Sequence, residues 1–170
     1  LILGAFIGLC LVVFGTLAVV QWNLEFLFYG AVLLAEIAAV FWLDLRVRLS
    51  TPVLMCLALW AALHLAGGTL PIPASVTEPT RPQVLYNLRI HPSLPKYDQL
   101  VHAFGFGIAT LAAWEALRRA AGPALRPRAG ILVLLVCTGM GLGALNEVIE
   151  FAATRIMPGT NVGGYENTGW

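Results

Sequence analysis

The sequence predicts an all-α, polytopic transmembrane helix bundle. Two observations carry that reading. Of its 170 residues, 59% are hydrophobic and only 11% charged, where a soluble domain carries about 25% charged residues. The apolar residues also fall in long runs, with a mean hydropathy of +0.82, so the chain cannot cover itself with polar side chains and is built for a hydrocarbon surround.

A helix needs about 20 apolar residues to cross the bilayer, and five segments meet that length. The first is LILGAFIGLCLVVFGTLAVV, residues 1–20, and the second LEFLFYGAVLLAEIAAVFWL, residues 24–43. The third runs over about residues 52–66, where Pro52 suits a first helical turn because its missing N–H costs little there. The fourth covers about residues 97–117 and the fifth about residues 130–156. Together they make one transmembrane domain over residues 1–170. The segment between the third and fourth spans, residues 68–96, is Pro-rich and shows no sustained period. It reads as an extended loop lying on the bundle.

Short loops rich in arginine face the cytoplasm. Arg46 and Arg48 lie between spans two and three, and Arg118, Arg119, Arg126 and Arg128 between spans four and five. Both clusters give one topology: N-terminus cytoplasmic, the 68–96 loop and the closing NVGGYENTGW outside. Glu115 stands three and four residues before Arg118 and Arg119, a spacing that predicts a local ion pair. Tryptophans 22, 42, 60, 114 and 170 mostly fall near span ends, as interfacial aromatics do.

Several function classes drop out at this stage. A net charge of +1 without a basic run gives no footprint for nucleic acid. Cys10, Cys56 and Cys137 are widely spaced inside apolar runs and read as packing residues. Gly4 with Gly8, and Gly139 with Gly143, form small-xxx-small pairs that read as close helix packing. A phosphate-binding loop would need a preceding strand and a nearby lysine.

The informative residues are the ionisable ones that survive inside the spans. With the topology above, Asp98 lies near the outer rim and His102 about 6 Å deeper. Glu147 and Glu150 close the fifth span at the same outer level, and His64 sits in the last turn of the third. Asp98 and His102 are spaced i,i+4, Glu147 and Glu150 i,i+3, and Asn146 and Glu150 i,i+4, so each set shares a helix face. Groups of this kind face the bundle interior or water. His64, Asp98, His102, Glu147 and Glu150 are therefore expected to line an outward-facing polar pocket. Three uses fit that composition: interhelical pairing alone, a site for a polar head group or a divalent metal (imidazole with carboxylate suits Zn, Mn or Fe), or a proton relay. A His and a Glu in such a pocket could also act as acid and base on a lipid-linked substrate. Membrane lipids are the expected partners. The alternative is a non-catalytic accessory subunit of a larger membrane complex, a photosynthetic or respiratory assembly, held by its apolar faces.

The same residues carry a resemblance. H-x-x-G at His64–Gly67, YDQLVHAFGFG at residues 97–107, E-x-L-R-R at Glu115–Arg119, NExxEF at Asn146–Phe151 and the Gly-rich NVGGYENTGW together resemble the YjdF-like bacterial inner-membrane proteins, a family of unknown function with a more distant likeness to VanZ-like envelope proteins. The likeness covers residues 50–170 by motif and the first two spans by hydropathy. It departs in one place: the family usually has Phe directly after the histidine, whereas Ala103 intervenes here before Phe104. The resemblance implies a bacterial inner-membrane location and a further apolar helix beyond Trp170, preceded by an Asp. The start at Leu1 and the close at Trp170 go with an expectation that the native chain is longer.

Overall fold

The computed structural model describes residues 2–77, 82–91 and 93–157. The closing NVGGYENTGW, and with it Trp170, lies outside the described residues, as does any helix beyond it. Five helices follow one another: α1 (Ile2–Val20), α2 (Leu24–Val47), α3 (Thr51–Thr69), α4 (Tyr97–Ala121) and α5 (Ala129–Ile156). All five are long and apolar enough to cross a membrane. Among the described residues there is no strand, only an isolated bridge between Pro71 and Val84. The described residues form an all-α bundle of five membrane-length helices.

The helices outrun the apolar segments that announce them because local chemistry sets their ends. Thr51 begins α3 with Pro52 in its first turn. At the far end of α2, Arg48 adopts a left-handed conformation (φ 54°) and returns its N–H to the Asp44 carbonyl, a C-terminal closure more often made by glycine. Gly122 closes α4 at φ 93°, where a Cβ would be strained.

Helix α3 is central, contacting α1, α2 and α4, and α5 packs on the other side of α4. The main core gathers Ala18 of α1, Phe26 and Leu33 of α2, and Ala61 and Leu65 of α3. Gly68 makes this possible, since a Cβ there would overlap the Phe26 ring. The α1–α2 turn is pinned to the end of α3 by two side chains. Gln21 donates to the Thr69 carbonyl at 3.2 Å, and Asn23 donates to the Gly68 carbonyl at 3.2 Å while its Oδ1 accepts the Phe26 N–H.

The two glycine pairs behave differently. Gly139 and Gly143 of α5 lie against Thr110 and Phe106 of α4, the close approach expected of them. Gly4 and Gly8 touch no neighbour and instead line an apolar groove of about 560 Å³ between α1, α2 and α3. A small-xxx-small pair permits a close partner, and here α1 turns that face to the groove.

The described residues of the 70–96 segment lie on the bundle and are tied down by backbone hydrogen bonds. The segment folds back: Leu85 N–H bonds the Leu70 carbonyl at 2.9 Å, Ile72 N–H the Gln83 carbonyl at 3.0 Å and Tyr97 N–H the Leu88 carbonyl at 3.1 Å. The 3₁₀ turn Leu85–Asn87 at its centre rests on both α3 and α4. Prolines at both ends set the chain into turns, and Asn87, buried, bonds the Pro82 carbonyl at 2.8 Å. This clip covers one end of the bundle.

Asn23 ties α2 to α3 through one side-chain amide. Asn23→Ala is expected to lower stability by about 1–2 kcal/mol, from the lost cap and the lost interhelical bond. Asn23→Asp keeps the cap acceptor but not the donor and is expected to fall between. Unfolding in detergent micelles measures both, and an Asn23→Ala midpoint equal to wild type would remove this pin from the account.

Candidate functional site

The clip, α3, α4 and α5 bring polar side chains together at the end of the bundle opposite the arginine loops. His64 lies one turn and a half before the end of α3, because its helix stops at Thr69. Asp98 and His102 sit in the first two turns of α4, and Glu150 is in the last turns of α5. Helix spacing does the local work: Asp98 Oδ1 lies 3.1 Å from His102 Nδ1, and Asn146 Nδ2 donates to Glu150 Oε1 at 2.6 Å. Both are i,i+4 pairs.

Tertiary packing then joins the helices. The His64 and His102 rings stand 6.1 Å apart between centroids. His102 Nε2 approaches Glu150 Oε1 at 3.8 Å, across the α4–α5 contact. That is an ion-pair distance but beyond hydrogen-bond reach. His102 also stacks nearly parallel with Phe106 (12°) and with Tyr86 (20°), which fixes its plane.

Tyr86, carried in by the clip, hydrogen-bonds His64 Nδ1 through its hydroxyl. Burial, reinforced by the nearby Asp98 carboxylate, holds the Tyr86 phenol well above its ordinary value, so at neutral pH it keeps its proton, and its hydroxyl can donate to the ring nitrogen or accept from it. Where the hydroxyl donates, His64 Nδ1 accepts and the ring proton lies on Nε2. Gly67 gives room for this arrangement, because a Cβ there would press into the Tyr86 ring. Tyr97, at the start of α4, bonds the Leu63 carbonyl at 2.9 Å and holds α4 to α3 at the same level.

Around this cluster, the buried His102 Nε2, Trp60 Nε1 and Tyr29 Oη have no hydrogen-bond partner among the described residues. The Trp60 ring is 5.5 Å from the His64 ring, and its Nε1 lies against Gly105, three residues beyond His102. Tyr29, on α2, lies within electrostatic reach of Glu150, Glu25 and Asp98. An unpaired buried donor or acceptor costs about 1–3 kcal/mol, and all three of these atoms lie around one cluster.

Four of the five expected site residues, His64, Asp98, His102 and Glu150, are thus brought together. Glu147 is not in that contact set. It lies three residues before Glu150 but is exposed on α5, reaching His102 and Glu150 through electrostatics alone. A step of three residues along a helix turns the side chain about 60° from its neighbour's direction, and here that decides which carboxylate meets α4. Among the described residues, no group of three His, Cys, Asp or Glu side chains is placed to hold a metal ion. The convergent donors His102 Nε2 and Glu150 Oε1 are one short of the three protein ligands that a catalytic zinc site uses.

Tyr86, Trp60 and Tyr29 are the residues that sequence reasoning did not reach. Trp60 lies well inside α3 rather than at an interface. Tyr86 left one signal: it is the one Tyr, Phe or Trp in the 68–96 segment. Glu115, at the other end of α4, does not pair locally as its spacing suggests. Its carboxylate accepts the Ser50 N–H at 2.7 Å and the Ser50 hydroxyl, because the start of α3 offers a free backbone donor there.

Compared with known proteins, residues 2–168 match the family described as "Predicted membrane protein (DUF2238)". The chain belongs to this family. No curated protein and no solved structure matches the chain. The DUF2238 match spans all five helices and the clip, so the His64, Tyr86, Asp98, His102 and Glu150 positions all fall within it.

The Tyr86–His64 bond is the contact most specific to this arrangement. Tyr86→Phe and His64→Ala are each expected to destabilise, and the double variant to lose about 1 kcal/mol less than the two singles added together. A thermodynamic cycle in detergent reads that coupling. Strict additivity would mean the hydroxyl and the ring act independently.

Proposed function

We propose that this protein receives the hydroxyl-bearing polar head of a membrane lipid in the cluster of His64, Asp98, His102 and Glu150, with Glu147 at its edge. In this reading it is a single transmembrane unit of the bacterial cytoplasmic membrane, YjdF-like, with its N-terminus inside and the clip outside. The arginine-rich loops at the opposite end support that direction.

The observation that carries the reading is the set of unpartnered polar atoms, above all His102 Nε2. Asp98, 3.1 Å behind Nδ1, fixes the His102 ring and leaves Nε2 as the acceptor for a ligand hydroxyl, the geometry of a base with an orienting carboxylate. Trp60 Nε1 is a donor and Tyr29 Oη both donor and acceptor, so the cluster matches a ligand rich in oxygen. Interhelical pairing alone would have consumed these atoms. The groove bordered by Trp60, Gly105, Phe106, Asn146 and Glu36, about 320 Å³ and otherwise apolar, runs beside the cluster and suits an acyl chain.

Protein purified in mild detergent is expected to retain a lipid, identified by mass spectrometry of an organic extract. His102→Ala and Glu150→Gln should lose it while eluting as folded protein. A cysteine at the exposed Ile90 should react with a membrane-impermeant reagent from outside intact cells only. Wild-type protein free of lipid, or variants retaining it equally, would remove the head-group reading, and labelling from the cytoplasm alone would reverse the topology.

A further inference from the structure

Away from the histidines, the α2–α3 connection and the end of α4 enclose a cleft of about 640 Å³ bordered by Arg46, Arg48, Arg118, Arg119 and Glu115. Positive charge in these short loops is expected from topology alone. Topology does not require four arginines to border one concave surface, nor the neighbouring acids to be occupied elsewhere. Asp44 accepts the Leu49 N–H at 2.8 Å. Both oxygens of Glu115 accept from Ser50, and that clamp ties the two arginine-bearing segments together. Glu115 also lies within electrostatic reach of Arg119, so one carboxylate, already hydrogen-bonded, stands against four guanidinium groups.

The depth of the cleft narrows its ligand. Asp98 and Arg118 are twenty residues apart on one helix, about 30 Å at 1.5 Å per residue, which is the thickness of a hydrocarbon core. The histidine cluster and the arginine cleft therefore stand at opposite interfaces. Arg46 lies over the Trp42 ring, 5.2 Å from its centroid, a cation–π contact with an aromatic of the kind that settles at head-group level. Planar guanidinium groups match the oxygens of a phosphate ester, and neighbouring like charges in a concave surface favour an anion between them.

We propose that this cleft binds the phosphodiester of an anionic phospholipid. Arg118 and Arg119 form one wall and Arg46 and Arg48 the other. It is independent of the histidine cluster and needs none of its residues.

Native mass spectrometry of the full chain, titrated with phosphatidylglycerol and with phosphatidylcholine, tests it. Phosphatidylglycerol is expected to bind about tenfold more tightly. Arg118→Gln with Arg119→Gln should abolish that preference, whereas the Lys pair at the same positions should keep part of it, retaining charge but not the fork. Arg126→Gln with Arg128→Gln, on residues that do not border the cleft, should leave it intact. If the first Gln pair fails to fold, Arg46→Gln with Arg48→Gln reads the opposite wall and should show the same loss. Equal binding of the two lipids, equal loss from both the cleft and the Arg126/Arg128 pairs, or displacement of the lipid by inorganic phosphate at matched concentration would each overturn the assignment.

Discussion

A hydrocarbon surround offers no partner to an N–H, an O–H or a carboxylate, so each polar side chain carried into the bundle must find one on its own helix, on another helix or on the segment that covers it. The architecture follows that constraint closely. Asn23 and Gln21 bond carbonyls at the end of α3, Thr110 returns its hydroxyl to the Phe106 carbonyl at 2.7 Å, and Asn146 meets Glu150. Where helices alone cannot supply the partner, the clip does. Tyr86 enters from a loop to bond His64, and in doing so it completes the environment of His102. Against this background of satisfied groups, His102 Nε2, Trp60 Nε1 and Tyr29 Oη stand out.

The two ends of the bundle divide the chemistry between them. One end holds imidazoles, carboxylates and aromatic hydroxyls under a folded cover. The other holds arginines around an open cleft whose acids are tied to Ser50 and Leu49. Between them α1 and α5 present apolar surfaces outward, with Leu9 on α1 and Met140 and Val148 on α5 well exposed, as lipid-facing side chains require. A head group held by the histidine cluster and a phosphodiester held by the arginines would each approach from its own membrane face, so the two assignments stand or fall separately.

Much of this was legible in the residues because helical periodicity is a local property. The apolar runs gave the all-α membrane bundle, and the i,i+4 spacing placed Asp98 against His102 and Asn146 against Glu150. What escaped was set by contacts between distant segments. Nothing in the spacing of a Pro-rich loop tells that Leu85–Asn87 will turn back onto α3 and α4, so Tyr86 could not be assigned to His64. Trp60 was grouped with interfacial aromatics, although Gly105 on a neighbouring helix draws its indole inward. Glu147 and Glu150 look equivalent in sequence, and only the packing of α5 on α4 separates the buried one from the exposed one. Glu115 was assigned to its nearest arginines, but the backbone N–H and hydroxyl of Ser50, sixty-five positions away, are the stronger attraction for its carboxylate.

The proton positions on the two histidines test the central claim, that the clip and three helices meet in one ordered polar cluster. With Tyr86 bonded to His64 Nδ1 and Asp98 accepting from His102 Nδ1, nitrogen-15 NMR of the protein in lipid bilayers should show His64 held in one fixed tautomer and His102 protonated at Nδ1. In Tyr86→Phe the His64 signal alone should change. A His102 ring without a proton on Nδ1, or two histidines with the averaged signals of freely titrating side chains, would contradict the account.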